Sequence, residues 1–509
     1  MKRFVNELLG KLNWGKRAYA VLALCAITAV ALPAKTFTTL FTFDGTNGAN
    51  GTDGANPNGL VQATNGELYG TTYKGGANCA PYGCGTVFKI TPSGTLTTLY
   101  SFCTQGGCMD GSYPEAGLIQ AGNGDFYGTT HGGGTNCTDT FGCGTIFKIT
   151  PGGALTTVYS FCAQSSCTDG EFPAAGLFQG SNGDLYGTTT YGGIPVLNSS
   201  FDYGYGTIFK ITPSGTLTTL YAFCEKSGCT DGQYPNAGLV QATNGDFYGT
   251  TFWGGANCGG ALGCGTVFKI TPSGTLTTLY SFCTEGGSCT DGYEPTGLVQ
   301  ATDGDLWGAT NQGGANGSGG TIFKITPSGT LTTVYSPPGG AALAALVQGT
   351  DGNLYGVTGG TVFKITLSGV YTTLYKFCSQ TNCADGTGAS APLLQNTDGT
   401  FYGTTSYGGI INPNGCWPSG CGTVFSLSVG LGPFVKTQTT SGKVGAAVKI
   451  LGSDLTGATS VTFNGTAAAF TVVSPSLITT TVPAGATSGK VEVVTPGGTL
   501  SSNVPFRVP

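Results

Sequence analysis

Residues 59–72 read GLVQATNGELYGTT, and near-copies of this stretch recur six more times along the 509-residue chain. Each copy centres on one aromatic residue, and these are Tyr69, Tyr127, Tyr186, Tyr248, Trp307, Tyr355 and Tyr402. Every copy is followed by a relative of TVFKI, which first occurs at residues 86–90. Six copies are then followed by a relative of TLTTLY, which first occurs at residues 95–100. Repetition on this scale is typical of propellers, solenoids and repeat arrays.

Each repeat predicts four short strands, which we name a (GLVQA), b (ELYGTT), c (TVFKI) and d (TLTTLY). All four are rich in the β-branched and aromatic residues that strands favour. Asn65-Gly66 lies between a and b and predicts a tight hairpin, because both turn positions need positive φ. Pro92-Ser93-Gly94 predicts a second turn between c and d. Four antiparallel strands per repeat are typical of a propeller blade.

The two ends of the repeat region distinguish a closed ring from a solenoid. The last repeat ends after its strand c, near residues 425–427, whereas an orphan segment, KTFTTLFTF, begins at Lys35 before the first repeat. This segment matches strand d, so we predict that it completes the last blade. A solenoid, the alternative, has no reason to begin with the strand that it lacks at its end. The sequence therefore predicts an all-β protein with a seven-bladed β-propeller over residues 35–430.

Residues 1–34 have the order of a secretory signal peptide. Basic residues, from Lys2 to Arg17, precede an apolar run from Ala18 to Leu32. An N-terminal membrane anchor is the alternative, but this run is shorter than the roughly 20 residues that span a bilayer. No later segment is apolar enough to cross a membrane. We therefore expect a secreted, extracellular or cell-surface protein.

Eighteen of the 19 cysteines lie outside this segment and form nine close pairs. The pairs are Cys79/Cys84, Cys103/Cys108, Cys137/Cys143, Cys162/Cys167, Cys224/Cys229, Cys258/Cys264, Cys283/Cys289, Cys378/Cys383 and Cys416/Cys421. Zinc binding, the rival interpretation, favours shorter spacings and histidine. Repeats that lack one member of a pair also lack the other, as bonded partners would. We predict nine local disulfides, which suit an oxidising compartment.

Composition excludes several classes of function. Glycine accounts for 90 residues, charged residues for only 9%, and the formal net charge is −5. A net negative chain does not suit nucleic acid, and a turn-rich aromatic chain suits an extracellular β protein. Because the b–c and d–a loops are long and carry every cysteine pair, we expect them to form the functional face, called the disulfide face below.

Aromatic side chains in the b–c loops are the predicted ligand-binding residues. Flat aromatic faces stack on sugar rings or grip partner proteins. Packing over the neighbouring disulfides is the competing interpretation. His131, the single histidine, occupies an equivalent loop position and is included among the candidates. The predicted site consists of Tyr73, His131, Tyr191, Phe252, Trp253 and Tyr407.

Other polar residues have a weaker case for chemistry. The Asp-Gly pair before strand a could bind calcium, but turn formation already explains it, and we predict no other cofactor or metal. Glu115, Glu171 and Glu294 are acids outside the repeat pattern, and nothing in the sequence pairs two of them for glycoside cleavage. A glutamine in every strand a predicts a ring of amides around the channel, either bonded to backbone groups or open to a ligand.

The motif GL-x-Q-x-x-x-G-x-x-YGTT followed by GTVFKIT resembles the bacterial Gloeo/Verruco (GloVer) tandem repeat. That family is associated with secreted or surface proteins and has no assigned activity, so the resemblance implies location more than mechanism. Residues 431–509 contain VTFNG at Val461, VPAGA at Val482 and TPGG at Thr495. They resemble the IPT/TIG domain, which implies an immunoglobulin-like β-sandwich acting as a spacer or adhesion module.

Three functions remain open. The near-symmetry of the repeats favours a non-catalytic binding or adhesion scaffold whose ligand is a glycan or a surface partner, because catalysis needs different residues in different roles. The alternatives are a structural component of a surface layer or filament, and an extracellular glycan-processing enzyme. The sequence predicts no oligomeric state.

Overall fold

The computed structural model describes residues 35–43, 53–79, 82–137, 142–194, 204–257, 263–284, 289–317, 319–338, 343–410, 416 and 419–509. The segment assigned to a signal peptide lies outside these residues. Strands dominate the described chain. Helix is limited to single 3₁₀ turns at Gly106–Cys108, Ser165–Cys167, Ser227–Cys229 and Thr381–Cys383. Among the described residues, no helix has the length and apolar character needed to cross a membrane.

Seven four-stranded antiparallel sheets follow the seven repeats, each in the order a, b, c, d. Blade 1 contains Ala55–Gln62, Leu68–Lys74, Thr86–Ile90 and Leu96–Ser101. Blade 2 contains Ile119–Gln120, Phe126–Thr130, Thr145–Ile149 and Leu155–Ser160. Blade 3 contains Phe178–Gln179, Leu185–Thr189, Thr207–Ile211 and Leu217–Ala222. Blade 4 contains Val240–Gln241, Phe247–Thr251, Thr266–Ile270 and Leu276–Ser281.

The remaining blades repeat this plan with small variations. Blade 5 contains Tyr293–Gln300, Leu306–Gln312, Thr321–Ile325 and Leu331–Tyr335. Blade 6 contains Val347–Gln348, Leu354–Thr358, Thr361–Ile365 and Tyr371–Lys376. Blade 7 contains Leu394–Gln395, Phe401–Thr405, Thr423–Ser428 and the N-terminal strand Thr36–Thr42. Strand a is thus shorter than expected in most blades, and only blades 1 and 5 pair it over eight residues.

The N-terminal strand completes blade 7, which confirms the closure predicted from the orphan segment. It runs antiparallel to strand c, with Thr36 opposite Ser428 and Thr42 opposite Thr423. Phe43, just after this strand, is fully buried against blade 1. The ring is therefore closed by β-pairing between the two ends of the repeat region.

The repeat motif is explained by packing inside and between blades. A Cβ atom on Gly128 of strand b would lie 2.6 Å from Cζ of Phe147 on strand c, so the glycine makes room for that ring. The second threonine of YGTT shares a hydrogen bond with the first residue of strand c, as between Thr130 and Thr145 at 2.8 Å. Each hydrophobic cluster of the propeller combines residues of two adjacent blades, for example Tyr69 with Phe126. The core is therefore divided into interfaces between blades.

The C-terminal domain is a sandwich of two four-stranded sheets. One sheet contains Lys436–Thr437, Ala447–Leu451, Leu477–Thr481 and Phe470–Ser474. The other contains Thr466–Ala467, Ser460–Phe463, Val491–Thr495 and Gly498–Ser501. A core that includes Ile450, Val461 and Phe506 fills the space between them. This arrangement is the predicted immunoglobulin-like fold.

The sandwich lies across the a–b turns of the propeller, called the turn face below. Ser476 Oγ donates to the Thr64 carbonyl of blade 1 at 2.8 Å, and Lys449 Nζ donates to the Gly122 carbonyl of blade 2 at 2.9 Å. On the other side of the axis, Asn503 Nδ2 donates to the Gln348 carbonyl of blade 6 at 3.4 Å. Contacts on both sides of the ring place the sandwich over this end of the central channel. The opposite, disulfide face is the end that it leaves uncovered.

Candidate binding site at the channel mouth

A cavity of about 690 Å³ occupies the channel where the seven strands a begin, at the disulfide face. Its wall comes from equivalent short segments that precede or open strand a in each blade. They include Asn58–Leu60, Glu115–Ile119, Ala174–Phe178, Asn236–Leu239, Pro295–Leu298, Leu343–Ala345 and Ser390–Leu393. We call this part of the molecule the channel mouth.

Hydrogen bonds between blades hold the wall of the channel mouth. The first threonine of YGTT donates to a carbonyl of the next blade, as from Thr71 to Ala116 at 2.7 Å and from Thr129 to Ala175 at 3.1 Å. The ring is closed in the same way, because Thr404 of blade 7 donates to the Asn58 carbonyl of blade 1 at 3.1 Å. The repeated residues thus build a rigid frame, and differences between blades come from the side chains mounted on it.

Glu115 is the only ionisable residue among the described residues that line the cavity. Its Oε2 lies 3.6 Å from Nδ1 of His131, and each side chain is about one-third exposed, at 32% and 31%. Burial raises the pKa of Glu115 to about 7, whereas burial lowers the pKa of His131. Since His131 is held neutral around physiological pH, the contact is not a salt bridge. The structure therefore singles out an acid–histidine contact that sequence spacing did not reveal.

Aromatic rings form a rim beside the cavity. Tyr191 packs against Tyr234 with ring centroids 5.2 Å apart, and Tyr234 packs edge-on against Trp253 at 5.4 Å. Phe252 adjoins Trp253 at 5.6 Å and also lines the cavity. Three of the predicted residues, Tyr191, Phe252 and Trp253, are thus brought together through Tyr234.

The rim continues toward Glu115 through blades 1 to 3. Tyr73 packs on Tyr113 with centroids 5.4 Å apart, and burial together with the Glu115 charge raises the pKa of Tyr73. His131 stacks on Phe172 at 4.7 Å. The predicted Tyr73 and His131 therefore flank Glu115. Tyr407 lies apart on blade 7 and is the most exposed of the predicted residues, at 47%.

Three rim residues were missed by sequence reasoning: Tyr113, Phe172 and Tyr234. Each directly precedes a proline in the d–a loop and has a positive φ, at 56°, 53° and 57°. A non-glycine residue rarely adopts this conformation, and such residues cluster at functional sites. The recurring aromatic-proline dipeptide was the signal in the sequence that could have found them.

Eight of the nine predicted disulfides are present among the described residues. They are Cys79–Cys84, Cys103–Cys108, Cys137–Cys143, Cys162–Cys167, Cys224–Cys229, Cys283–Cys289, Cys378–Cys383 and Cys416–Cys421. Cys258 of the ninth pair lies outside the described residues, and Cys264 is disulfide-bonded. Bonds of neighbouring loops approach each other, with Sγ of Cys79 and Cys108 4.0 Å apart. The bonds fix the loops that surround the channel mouth.

The aspartates of the Asp-Gly pairs accept hydrogen bonds within the d–a loops. Asp110 accepts hydrogen bonds from the Tyr100 hydroxyl at 2.7 Å and the Thr104 amide at 3.0 Å, and it is fully buried. Asp169, Asp231, Asp291 and Asp385 make equivalent bonds to a strand d tyrosine. These carboxylates organise their own turns, as turn chemistry predicts.

The glutamines of strand a form a belt near the turn face. Gln179 accepts from the Gly122 amide of blade 2 at 2.9 Å and donates to the Gly183 carbonyl of its own turn at 3.1 Å. Gln62 closes the belt by accepting from the Thr397 amide of blade 7 at 3.2 Å and donating to its hydroxyl at 2.8 Å. Of the two roles considered for this ring, the observed bonds correspond to satisfying backbone groups.

These features define a disulfide-rich repeat propeller with one covered end and one aromatic-rimmed cavity. The family model for the Gloeobacter/Verrucomicrobia repeat matches residues 26–262, 194–412 and 259–470, so the chain belongs to this repeat family. The model for the IPT/TIG domain matches residues 433–508. No curated protein matches the chain in sequence.

Solved structures with a similar fold include two lyases and a lactonase. A virginiamycin B lyase from Staphylococcus aureus is 18% identical over 78% of this chain and 99% of its own, with a TM-score of 0.48. A streptogramin B lyase is 19% identical over 79% and 99%, with a TM-score of 0.49. A gluconolactonase from Xanthomonas campestris is 12% identical over 79% and 92%, with a TM-score of 0.38. Likeness at this level implies no shared activity.

Proposed function

We propose that this protein is an extracellular binding module that holds a carbohydrate at the channel mouth. The observation that carries the proposal is the aromatic rim beside a cavity of about 690 Å³. Rings such as those of Tyr191 and Trp253 offer flat faces that stack on sugar rings.

The frame around this cavity favours binding. Interblade hydrogen bonds and local disulfides hold the wall in place before a ligand arrives, so binding costs little ordering of the loops. Because the sandwich covers the opposite end of the channel, a large ligand would reach the cavity from the disulfide face.

A binding role accounts for the site better than glycan cleavage. Cleavage by the usual mechanism needs two carboxyl groups on either side of the bond that breaks. Among the described residues that line the cavity, Glu115 supplies one carboxyl group and there is no second. The proposed extracellular location is supported by the eight local disulfides, which suit an oxidising compartment.

A glycan array followed by calorimetry tests the proposal. Wild-type protein is expected to bind a defined set of glycans, and Trp253→Ala is expected to weaken binding about tenfold, because losing one stacked aromatic removes roughly 1–2 kcal/mol. The control is Glu67→Ala on the turn face, where the side chain pairs with Lys89 at 3.1 Å. This control should bind like wild type.

Two results would overturn the proposal. One is the absence of glycan binding by folded wild-type protein, which would favour a structural role in a surface layer. The other is wild-type affinity in Trp253→Ala combined with lost affinity in Glu67→Ala, which would move the site to the turn face. Turnover of a bound glycan would favour the enzymatic alternative.

A further inference from the structure

We propose that the ligand of the channel mouth carries a protonated amino group and that Glu115 binds it, which makes the ligand class a glycan containing unacetylated amino sugars. This inference rests on the proposed function and narrows its ligand. It begins from the position of one carboxyl group that faces the cavity without a cationic partner.

Three acids on the turn side of the blades have cationic partners. Glu67 pairs with Lys89 and Asp305 pairs with Lys324, each at 3.1 Å. Asp246 and Lys269 are 3.9 Å apart. The repeat thus supplies a lysine from strand c wherever strand b begins with such an acid.

Glu115 has different surroundings. The titratable groups that face it are His131, whose pKa is lowered by burial, and the phenol of Tyr73. Neither is cationic around neutral pH. Lys74 Nζ lies 5.7 Å from the ring centroid of Tyr73, but no lysine or arginine is among the described residues lining the cavity. The carboxyl is therefore desolvated without compensation, which is the cause of its raised pKa.

A ligand cation would supply the missing partner. Attraction between unit charges is stronger at a partly desolvated site than in bulk water, and a charge-assisted hydrogen bond to a carboxylate is stronger than a neutral one. The same carboxylate repels acidic sugars, which gives discrimination against them. The site should therefore favour a ligand with an ammonium group and bind a uronate more weakly.

The rim fits the rest of such a ligand. Glu115 lies between Tyr73 and His131, and the aromatic rim extends from these residues toward Trp253. Sugar rings stacked along the rim would bring a substituent of one unit to the carboxylate, and aromatic faces themselves attract ammonium groups.

A matched series of β-1,4-linked tetrasaccharides tests the inference, because glucosamine, N-acetylglucosamine and glucose units differ only in the group at one carbon. By calorimetry near neutral pH, wild type is expected to bind the glucosamine tetramer about tenfold more tightly than the other two. Glu115→Gln should lose this preference and bind all three tetramers alike. Glu67→Gln, the same change on the turn face, should keep the preference.

A pH series gives a readout that needs no variant. The preference should weaken as pH falls below about 7, since Glu115 then becomes protonated while the amine stays charged. Equal binding of the three tetramers by wild type, a preference that survives Glu115→Gln, or a preference that strengthens in acid would each overturn the inference and leave carbohydrate binding intact. Failure to bind any carbohydrate, in this series or on the array, would overturn the proposed function as well.

Discussion

The two ends of the propeller are built from the same repeats and differ in how their polar groups are used. At the turn face, Gln62 and its equivalents join neighbouring blades by hydrogen bonds, acids pair with lysines, and the sandwich covers the channel. At the channel mouth, Glu115 lacks a cationic partner and aromatic rings are left half-buried. The difference indicates that the invariant part of the repeat serves closure of the ring, and the variable part serves binding.

Backbone conformation follows the same division. Five d–a loops carry a left-handed residue before proline, at Asn56, Tyr113, Phe172, Tyr234 and Glu294, with φ between 53° and 57°. Such conformations cost about 1–3 kcal/mol each and persist where surrounding structure holds them. Here the surrounding structure is the disulfide-bonded loop and the threonine bonds between blades. At the channel mouth, therefore, strained backbone conformations lower the folding stability and hold the d–a loops in a fixed geometry.

The largest effect is expected where the ring closes. Phe43→Ala should destabilise the protein by about 3–5 kcal/mol in denaturant unfolding, because a fully buried ring is removed from the interface of blades 7 and 1. Phe102 is its equivalent between blades 1 and 2, with the same backbone bond to a b–c loop glycine at 3.0 Å. Phe102→Ala should cost a similar amount. A negligible cost for Phe43→Ala beside a large cost for Phe102→Ala would contradict closure by the N-terminal strand.

A smaller loss is expected at the glutamine belt. Gln62→Leu should cost about 2 kcal/mol, because the Thr397 amide loses its acceptor in a buried place beneath the sandwich. Gln300→Leu, at an exposed link of the same belt, should cost less. Both variants should bind carbohydrate like wild type. If Gln62→Leu lost carbohydrate binding while remaining folded, the inference that the turn face serves ring closure and the channel mouth serves binding would be contradicted.

At the channel mouth we expect a substitution to increase folding stability instead of lowering it. Glu115→Gln should stabilise the ligand-free protein above neutral pH. The unfolded chain ionises Glu115 near 4.5, whereas the folded protein does so at about 7. Below both values the carboxyl is protonated in both states and has no cost; as pH rises through this interval the folded state loses stability. Allowing for a side chain that is 32% exposed, we expect a gain of about 1–2 kcal/mol at high pH.

Thermal unfolding at two pH values checks this sign. The variant and wild type should be equally stable in acid well below the ordinary pKa of 4.5, should diverge as pH rises from there to about 7, and should keep a constant difference above that pH. A variant that is less stable at high pH would show that Glu115 is compensated in the folded protein.

The smallest effect is expected for a single disulfide. Replacing Cys103 and Cys108 with serine should cost about 1–2 kcal/mol, because the loop they close is short and Asp110 holds it independently through hydrogen bonds. Peptide mapping should find nine bonds between sequence neighbours, including Cys258–Cys264. A bond between Cys79 and Cys108, whose Sγ atoms are 4.0 Å apart, would show that stacked pairs exchange.

Residue patterns along the chain were enough to predict the repeat count, the four strands of each blade, the closing strand and the local cysteine pairs. These features follow from short-range rules, since turn residues, strand composition and the joint loss of paired cysteines are all visible within one repeat. It also identified the face that carries the long loops. It did not reveal how short most strands a would be, and the left-handed residues do not explain this, because Asn56 and Glu294 lie inside the two strands of eight residues.

The residues that meet at the channel mouth, and the domain that covers the other end, could be identified only from the packing of the blades and the sandwich. Tyr73 lies in strand b of blade 1, Glu115 lies in the loop that follows strand d of blade 1, and His131 follows strand b of blade 2. No spacing rule along the chain therefore connects these three residues. Their shifted pKa values arise from burial, which composition cannot give. The contact of Ser476 with Thr64 joins residues more than 400 positions apart. Closing the chain into a ring brings such residues together, and the physical reason is that every blade must bury its faces against the next.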